Sequence, residues 1–463
     1  MSAISSPVVV RPTLAACAGG VLLGVVYTLS PLTVWSGLAM IVIFVWAGRG
    51  ATGRERLWIF RLLGVALTLR VLALIAFFFL TYRVDGSFVA LMPDDRAVVL
   101  NSGWLRNVAL RIPINTRDYY ATFEGGESGM TYFLAFLQLH LGTATYGIRL
   151  VNVAMYLAAT VALYRTVRPT FGAPAALAGL AAVLFLPTLF VWSISALKEP
   201  GHFLLVALGL AAAAAAALRA NAMPRRVRAM IACVVAVLAI ETVRPDAGLL
   251  LGGGILIGVV LSTTIRRPVL LITLVAVLVM AGAYALRNPL VDNQTMNLLR
   301  RVYIPHVGFV KSGGWNYRIL DPETYDRPDA YTFTMTRDFV ARYFVRAVTS
   351  IVLVPLPWRA ASPGAVAYLP EQVIWYVLVL LGTVGSVVGL RIDPHLTCLL
   401  LGVIVISAIA LGLSEGNVGT MVRHRSIILI PLAWLSGLGA TSLLKQAAKR
   451  SSGSEPLSCA VGT

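Results

Sequence analysis

The sequence predicts an all-α polytopic membrane protein, with about 12 transmembrane helices and extracytoplasmic loops that carry interfacial helices. Three observations predict it. Of the 463 residues, 58% are hydrophobic and only 13% charged, with a mean hydropathy of +0.82. A soluble domain holds about 45–50% apolar and about 25% charged residues. Apolar runs such as 203–218 are continuous, whereas a membrane β-barrel alternates over segments of about ten residues. Finally, basic residues gather at the ends of alternate runs, as membrane topology requires.

Residues 1–82 hold the N-terminal transmembrane helices, with apolar runs at 13–29, 32–47 and 58–82. Residues 83–145 form the first large loop. Residues 146–286 return to the membrane with runs at 146–164, 173–190, 203–218, 230–243, 247–261 and 268–286. The second large loop spans 287–371. Residues 372–444 carry the last runs, at 372–390, 396–413 and 427–444, before a tail at 445–463.

With the N-terminus in the cytoplasm, one set of short loops collects Arg49, Arg54 and Arg56, then Arg165 and Arg168, then the cluster from Arg219 to Arg228, then Arg266, Arg267 and Arg391. The tail adds Lys445, Lys449 and Arg450. This positive-inside pattern places both termini in the cytoplasm and both large loops outside a cell (inner or plasma) membrane. It also accounts for the net charge of +18, so nucleic acid is not an expected partner. Two shorter apolar stretches, 130–141 and 345–357, read as interfacial helices along the outer surface. Cys17, Cys233, Cys398 and Cys459 are scattered without paired spacing, which argues for free thiols.

The chemistry is expected on the outer face. The sharpest feature is Pro93-Asp94-Asp95-Arg96 in the first loop. Adjacent carboxylates beside a membrane are costly unless hydrated, paired or useful. One of them could accept the proton of an attacking hydroxyl, with Arg96 keeping a carboxylate ionised. They could instead cap the helix expected to begin at Arg96. One acid pair is too few to define a metal site, although carboxylates could hold a divalent cation.

Lys198, Arg244 and the Arg423-His424-Arg425 triplet fall at outer span ends. They could snorkel to headgroups, or converge on a phosphate. Arg244 could instead pair with Glu241 or Asp246 inside its hairpin. Arg61 and Arg70 interrupt the third run, and Arg70, near mid-span, needs a partner. Glu415-Gly416-Asn417-Val418-Gly419-Thr420 has glycines that permit a tight turn or a close approach to a ligand.

From the third run to Glu199 the sequence resembles the GT-C superfamily of membrane glycosyltransferases, in its protein-mannosyltransferase and aminoarabinose-transferase-like branch. The resemblance rests on Asp94-Asp95-Arg96-Ala97-Val98, on Ser128-Gly129-Met130-Thr131-Tyr132-Phe133-Leu134, on Leu141-Gly142 and on Arg149-Leu150-Val151-Asn152. Leu186-Pro187, Trp192-Ser193 and Lys198-Glu199 complete it. It implies transfer of a sugar, without a nucleotide cofactor, from a polyprenyl-phosphate donor to an envelope glycan, lipid or protein acceptor. Asp94 or Asp95 would be catalytic. Lys198, Arg244, Arg423, His424 and Arg425 would bind the donor phosphate, and Arg96 and Glu199 would contact substrate. The rival readings are an O-antigen or exopolysaccharide polymerase or ligase, and a non-enzymatic flippase or transporter, which should show paired halves.

Overall fold

The computed structural model describes residues 13, 16–24, 27, 30–85, 93–115, 128–219, 223–313, 318–325, 335–359 and 363–452. Helix is the only regular structure among them; the one β-bridge, Arg318 with Asn417, is isolated. The chain falls into two compact units. One comprises Met1–Val161, Phe190–Leu205 and Ala239–Pro245; the other comprises Ala162–Leu189, Val206–Leu238 and Asp246–Thr463.

In chain order the helices are α1 (Pro31–Gly48), α2 (Gly53–Asp85), α3 (Pro93–Ala109), α4 (Gly129–Leu141), α5 (Thr145–Phe171), α6 (Ala173–Phe185), α7 (Pro187–Ile194) and α8 (Glu199–Ala214). A π-turn, Ala215–Arg219, ends α8. Then come α9 (Met223–Val243), α10 (Ala247–Thr264), α11 (Pro268–Arg287), α12 (Pro289–Gly313), α13 (Pro322–Tyr325), α14 (Arg337–Leu353), α15 (Pro363–Ile392), α16 (Pro394–Ser414) and α17 (Val418–Ser452).

Among the described residues eight helices are long and apolar enough to cross a membrane, or nine if α6 and α7, bent by 62°, form one broken span. That makes the chain multi-pass, with fewer qualifying helices than the about twelve runs expected. The difference has local causes. The run at 13–29 is described only in pieces, with 14–15, 25–26 and 28–29 outside the described residues, so it does not count as one continuous helix. The run at 230–243 belongs to α9, whose first turns carry Arg225, Arg226 and Arg228. In α11 the apolar stretch is shortened to Val269–Tyr284.

In the first unit α1 and α2 form a hairpin around a turn in which Gly50 and Gly53 adopt positive φ. The amphipathic α3 packs on α4, where Gln138 Nε2 donates to Ser102 Oγ at 2.8 Å. Helix α4 coincides with the shorter apolar stretch expected at 130–141; Ser128 caps it by accepting from the Thr131 N–H. Leu32, Val99, Met130, Leu134, Ile148, Ala196 and Val243 form one apolar cluster in this unit.

In the second unit small residues let helices close on one another. A Cβ on Gly402 of α16 would strike the Gly254 carbonyl of α10, and one on Gly385 of α15 would strike the Leu435 carbonyl of α17. Helix α14 starts well before the apolar stretch expected at 345–357, because Thr336 caps it by accepting from Phe339 N–H.

Candidate active site

The site of the first unit is built around a break in the helical chain. Residues 195–198, between α7 and α8, are bends without regular hydrogen bonding. Irregular backbone within a membrane protein is tolerated only where the protein satisfies it, and here two side chains do so, while a third holds the helix just before the break. Asn152 Nδ2 donates to the Ser195 carbonyl at 2.7 Å and to the Leu197 carbonyl at 2.9 Å. Asp95 Oδ1 accepts the Ala196 N–H at 2.5 Å. Arg70 Nε donates to Ser193 Oγ at 2.7 Å.

Arg70 thereby finds the partners its mid-span position demanded. It is fully buried, its Nη1 donates to the Ala66 carbonyl at 3.1 Å, and its guanidinium lies 5.0 Å and 4.9 Å from the Tyr156 and Phe190 ring centroids. Arg61, by contrast, is exposed, with its guanidinium over the Trp58 ring.

The acidic pair divides. Both carboxylates stand in the first turn of α3, where acids complement the helix dipole, but neighbouring helical positions point about 100° apart. Asp95 turns inward and is fully buried; its Oδ2 accepts from Arg149 Nη2 at 2.5 Å, and Arg149 is equally buried. Arg149 Nη1 also donates to the Thr145 carbonyl. Asp94 and Arg96 turn outward and are exposed. Arg149 and Asn152 lie three residues apart on one face of α5, so the two ends of that motif grip α3 and the break together.

Lys198 is half-buried and Glu199, the first residue of α8, is buried, as is His202 one turn later. Arg244 is half-buried at the end of α9, while Glu241 is exposed. Asp246 belongs to the second unit, where it stands at the N-cap position of α10 with φ 66° and without a side-chain capping bond; aspartate tolerates that left-handed conformation better than most residues.

The second unit holds the Arg423-His424-Arg425 triplet. Arg425 is fully buried. Its Nη1 donates to Gln372 Oε1 at 2.7 Å, its Nη2 to the Val354 carbonyl, and its guanidinium lies 4.8 Å from the Trp375 ring centroid. Glu371 Oε2 accepts from Thr188 N–H and Oγ at 2.9 Å and 2.7 Å. The sequence reading did not single out Tyr368, whose hydroxyl accepts from Arg425 Nη1 at 3.5 Å, or Glu371, Gln372 and Trp375. Their spacing puts them on one face of α15, and that polar stripe opening an apolar run is the signal that could have found them.

His424 Nδ1 pairs with Glu415, while Arg423 is half-buried. The close approach that Gly416 permits is to the chain itself: a Cβ there would strike the His306 carbonyl. Tyr325 OH donates to the Gly416 carbonyl at 3.4 Å and lies 3.0 Å from His306 Nε2, with the two rings stacked at an interplanar angle of 4°. Burial pushes the His306 imidazole down to about 4, against the opposing pull of Glu415, and raises the Tyr325 and Tyr343 phenols. Among the described residues no group of three or more His, Cys, Asp or Glu side chains is placed to hold a metal ion.

Lys198 and Arg244 thus sit in one unit and Arg423, His424 and Arg425 in the other. No family model matches the sequence, and no curated protein matches it. One solved structure is similar to the chain. It is the crystal structure of ArnT from Cupriavidus metallidurans bound to undecaprenyl phosphate, at 15% identity and a TM-score of 0.46. The match covers 84% of this chain and 64% of that one, so the chain spans less than two thirds of that protein's length.

Proposed function

We propose that this protein is a membrane glycosyltransferase that moves a sugar from a polyprenyl-phosphate donor to an envelope glycan, lipid or protein acceptor on the outer face of the cell membrane, with both termini in the cytoplasm. The observation that carries this reading is the division of the acidic pair. Asp95 is committed to Arg149 and the Ala196 N–H, and Asp94 stands exposed beside it on the same first turn.

In this reading Asp94 is the base and Asp95 a positioning residue. The acceptor hydroxyl oxygen attacks the anomeric carbon, its proton passes to the Asp94 carboxylate, and the bond from that carbon to the phosphate oxygen breaks. Polyprenyl phosphate leaves with the bonding electrons. Cations stabilise the charge that develops on it. Lys198 and Arg244 are the candidates of the first unit, Arg423 and His424 of the second. Arg425, enclosed by Gln372, Val354 and Trp375, would act by holding its neighbours in place. Arg96 and Glu199 are candidates for contacts to the substrate.

The test is turnover by purified protein in detergent, offered a panel of polyprenyl-phosphate sugars with candidate acceptors. Release of free polyprenyl phosphate coupled to glycosylated acceptor supports the reading. Binding of lipid-linked sugars with no bond cleavage across the panel would point to the flippase or transporter instead.

A further inference from the structure

The α1–α2 hairpin holds a cavity of about 770 Å³ that the catalytic reading does not use. Its wall is apolar for most of its length, lined by Met40, Ile41, Phe44 and Val45 of α1 and by Phe60 and Leu67 of α2. At the turn its character changes, and Arg49, Thr52 and Arg56 line that end. Both arginines are exposed, and the Arg56 guanidinium lies 5.4 Å from the Phe60 ring centroid. Phe60 in turn stacks on Phe44 at 6.2 Å. The cavity is therefore amphiphilic, with its charge confined to one end. From Met40 to Gly48, helix α1 supplies about 12 Å of wall.

We infer that this groove binds one anionic diacyl phospholipid, with its phosphate between Arg49 and Arg56 and an acyl chain along Phe44, Phe60 and Ile41. Charge complementarity selects that occupant. Guanidinium groups grip phosphate oxygens through paired N–H donors, and basic residues at the membrane surface favour anionic headgroups. The chain's own first 29 residues make a poorer occupant. They contain Arg11 and no acidic residue, so they bring nothing to balance the arginines.

The test uses the full chain in nanodiscs that contain a phosphatidylglycerol with a photoreactive acyl chain. Adducts are expected on peptides covering 40–48 and 60–67, competed by unlabelled phosphatidylglycerol but not by phosphatidylcholine with the same acyl chains. Native mass spectrometry of the protein in detergent should show R49Q/R56Q retaining phosphatidylglycerol roughly tenfold less than wild type, with K445Q/K449Q, at the far end of the chain, retaining it normally. Equal competition by phosphatidylcholine, stronger competition by polyprenyl phosphate, or undiminished retention by R49Q/R56Q would overturn the proposal. So would adducts absent from the groove, which would leave it to another occupant such as the N-terminal segment. The photolabelling arm uses wild-type protein, so misfolding of R49Q/R56Q does not blunt the test.

Discussion

Arg149 and Asp95 form an ion pair at 2.5 Å with neither side chain exposed to solvent. A charge buried in this way is costly unless its partner stays in place, and removing one partner of such a pair costs about 3–5 kcal/mol. Arg149→Met should therefore lower the unfolding temperature in detergent more than the double variant Arg149→Met/Asp95→Leu does. A double-mutant cycle followed by thermal unfolding checks this. Independent, additive losses would mean that the pair is not coupled.

Arg70 should prove replaceable by neither size nor charge alone. Lysine has no planar face to lie against Tyr156 and Phe190 and no fork to reach both Ser193 and the Ala66 carbonyl. Arg70→Lys and Arg70→Met should both reduce turnover through loss of order at the 195–198 break. The check is proteolytic or hydrogen-exchange protection of that segment, which should fall in both variants.

His306 should make the second unit acid-sensitive. Its imidazole titrates near 4 when folded and near its ordinary value of 6.5 when unfolded. The folded form is thus the weaker proton binder. Its contribution to stability is present in full above pH about 6.5 and is lost as pH falls through the window down to about 4. Thermal unfolding of His306→Gln between pH 7 and 4 should show a flatter profile than wild type across that window.

Gly402 should not tolerate a side chain, since its Cβ would strike the Gly254 carbonyl, whereas Gly282, with open space around it, should accept alanine. Gly402→Ala should destabilise by at least about 1–3 kcal/mol through forced separation of α10 and α16. Gly282→Ala should be neutral or stabilise by up to about 1 kcal/mol, through helix propensity. Unfolding midpoints of the two variants make the comparison.

Much of the fold was legible in the sequence because apolar continuity and arginine placement are local signals. Prolines and caps such as Ser128 and Thr336 set several helix starts where the chain itself announces them. The acidic pair and the Arg149–Asn152 motif could be read, but not that one grips the other, because 54 residues separate Asp95 from Arg149. Which carboxylate faces inward depends on that distant partner and on nothing in the Pro93–Arg96 segment. Arg70's need for a partner was readable from its depth, while Ser193 lay beyond the reach of any local pattern. The glycine at 416 signalled close approach, and only the packed structure identifies the His306 carbonyl as what approaches it.

The measurement that tests the central claim most directly is multiple-turnover release of polyprenyl phosphate by Asp94→Asn. Asparagine keeps the shape and exposure of the side chain and removes its basicity, and losing one exposed charge from the first turn of α3 costs only about 0.3–1 kcal/mol. Turnover should fall by about 10²–10⁴-fold, with donor affinity and unfolding temperature close to wild type. Wild-type turnover in Asp94→Asn would contradict the assignment of the base. If Asp95→Asn also turned over normally, the first-loop acids would be dispensable, and the polymerase or ligase reading would replace the one proposed.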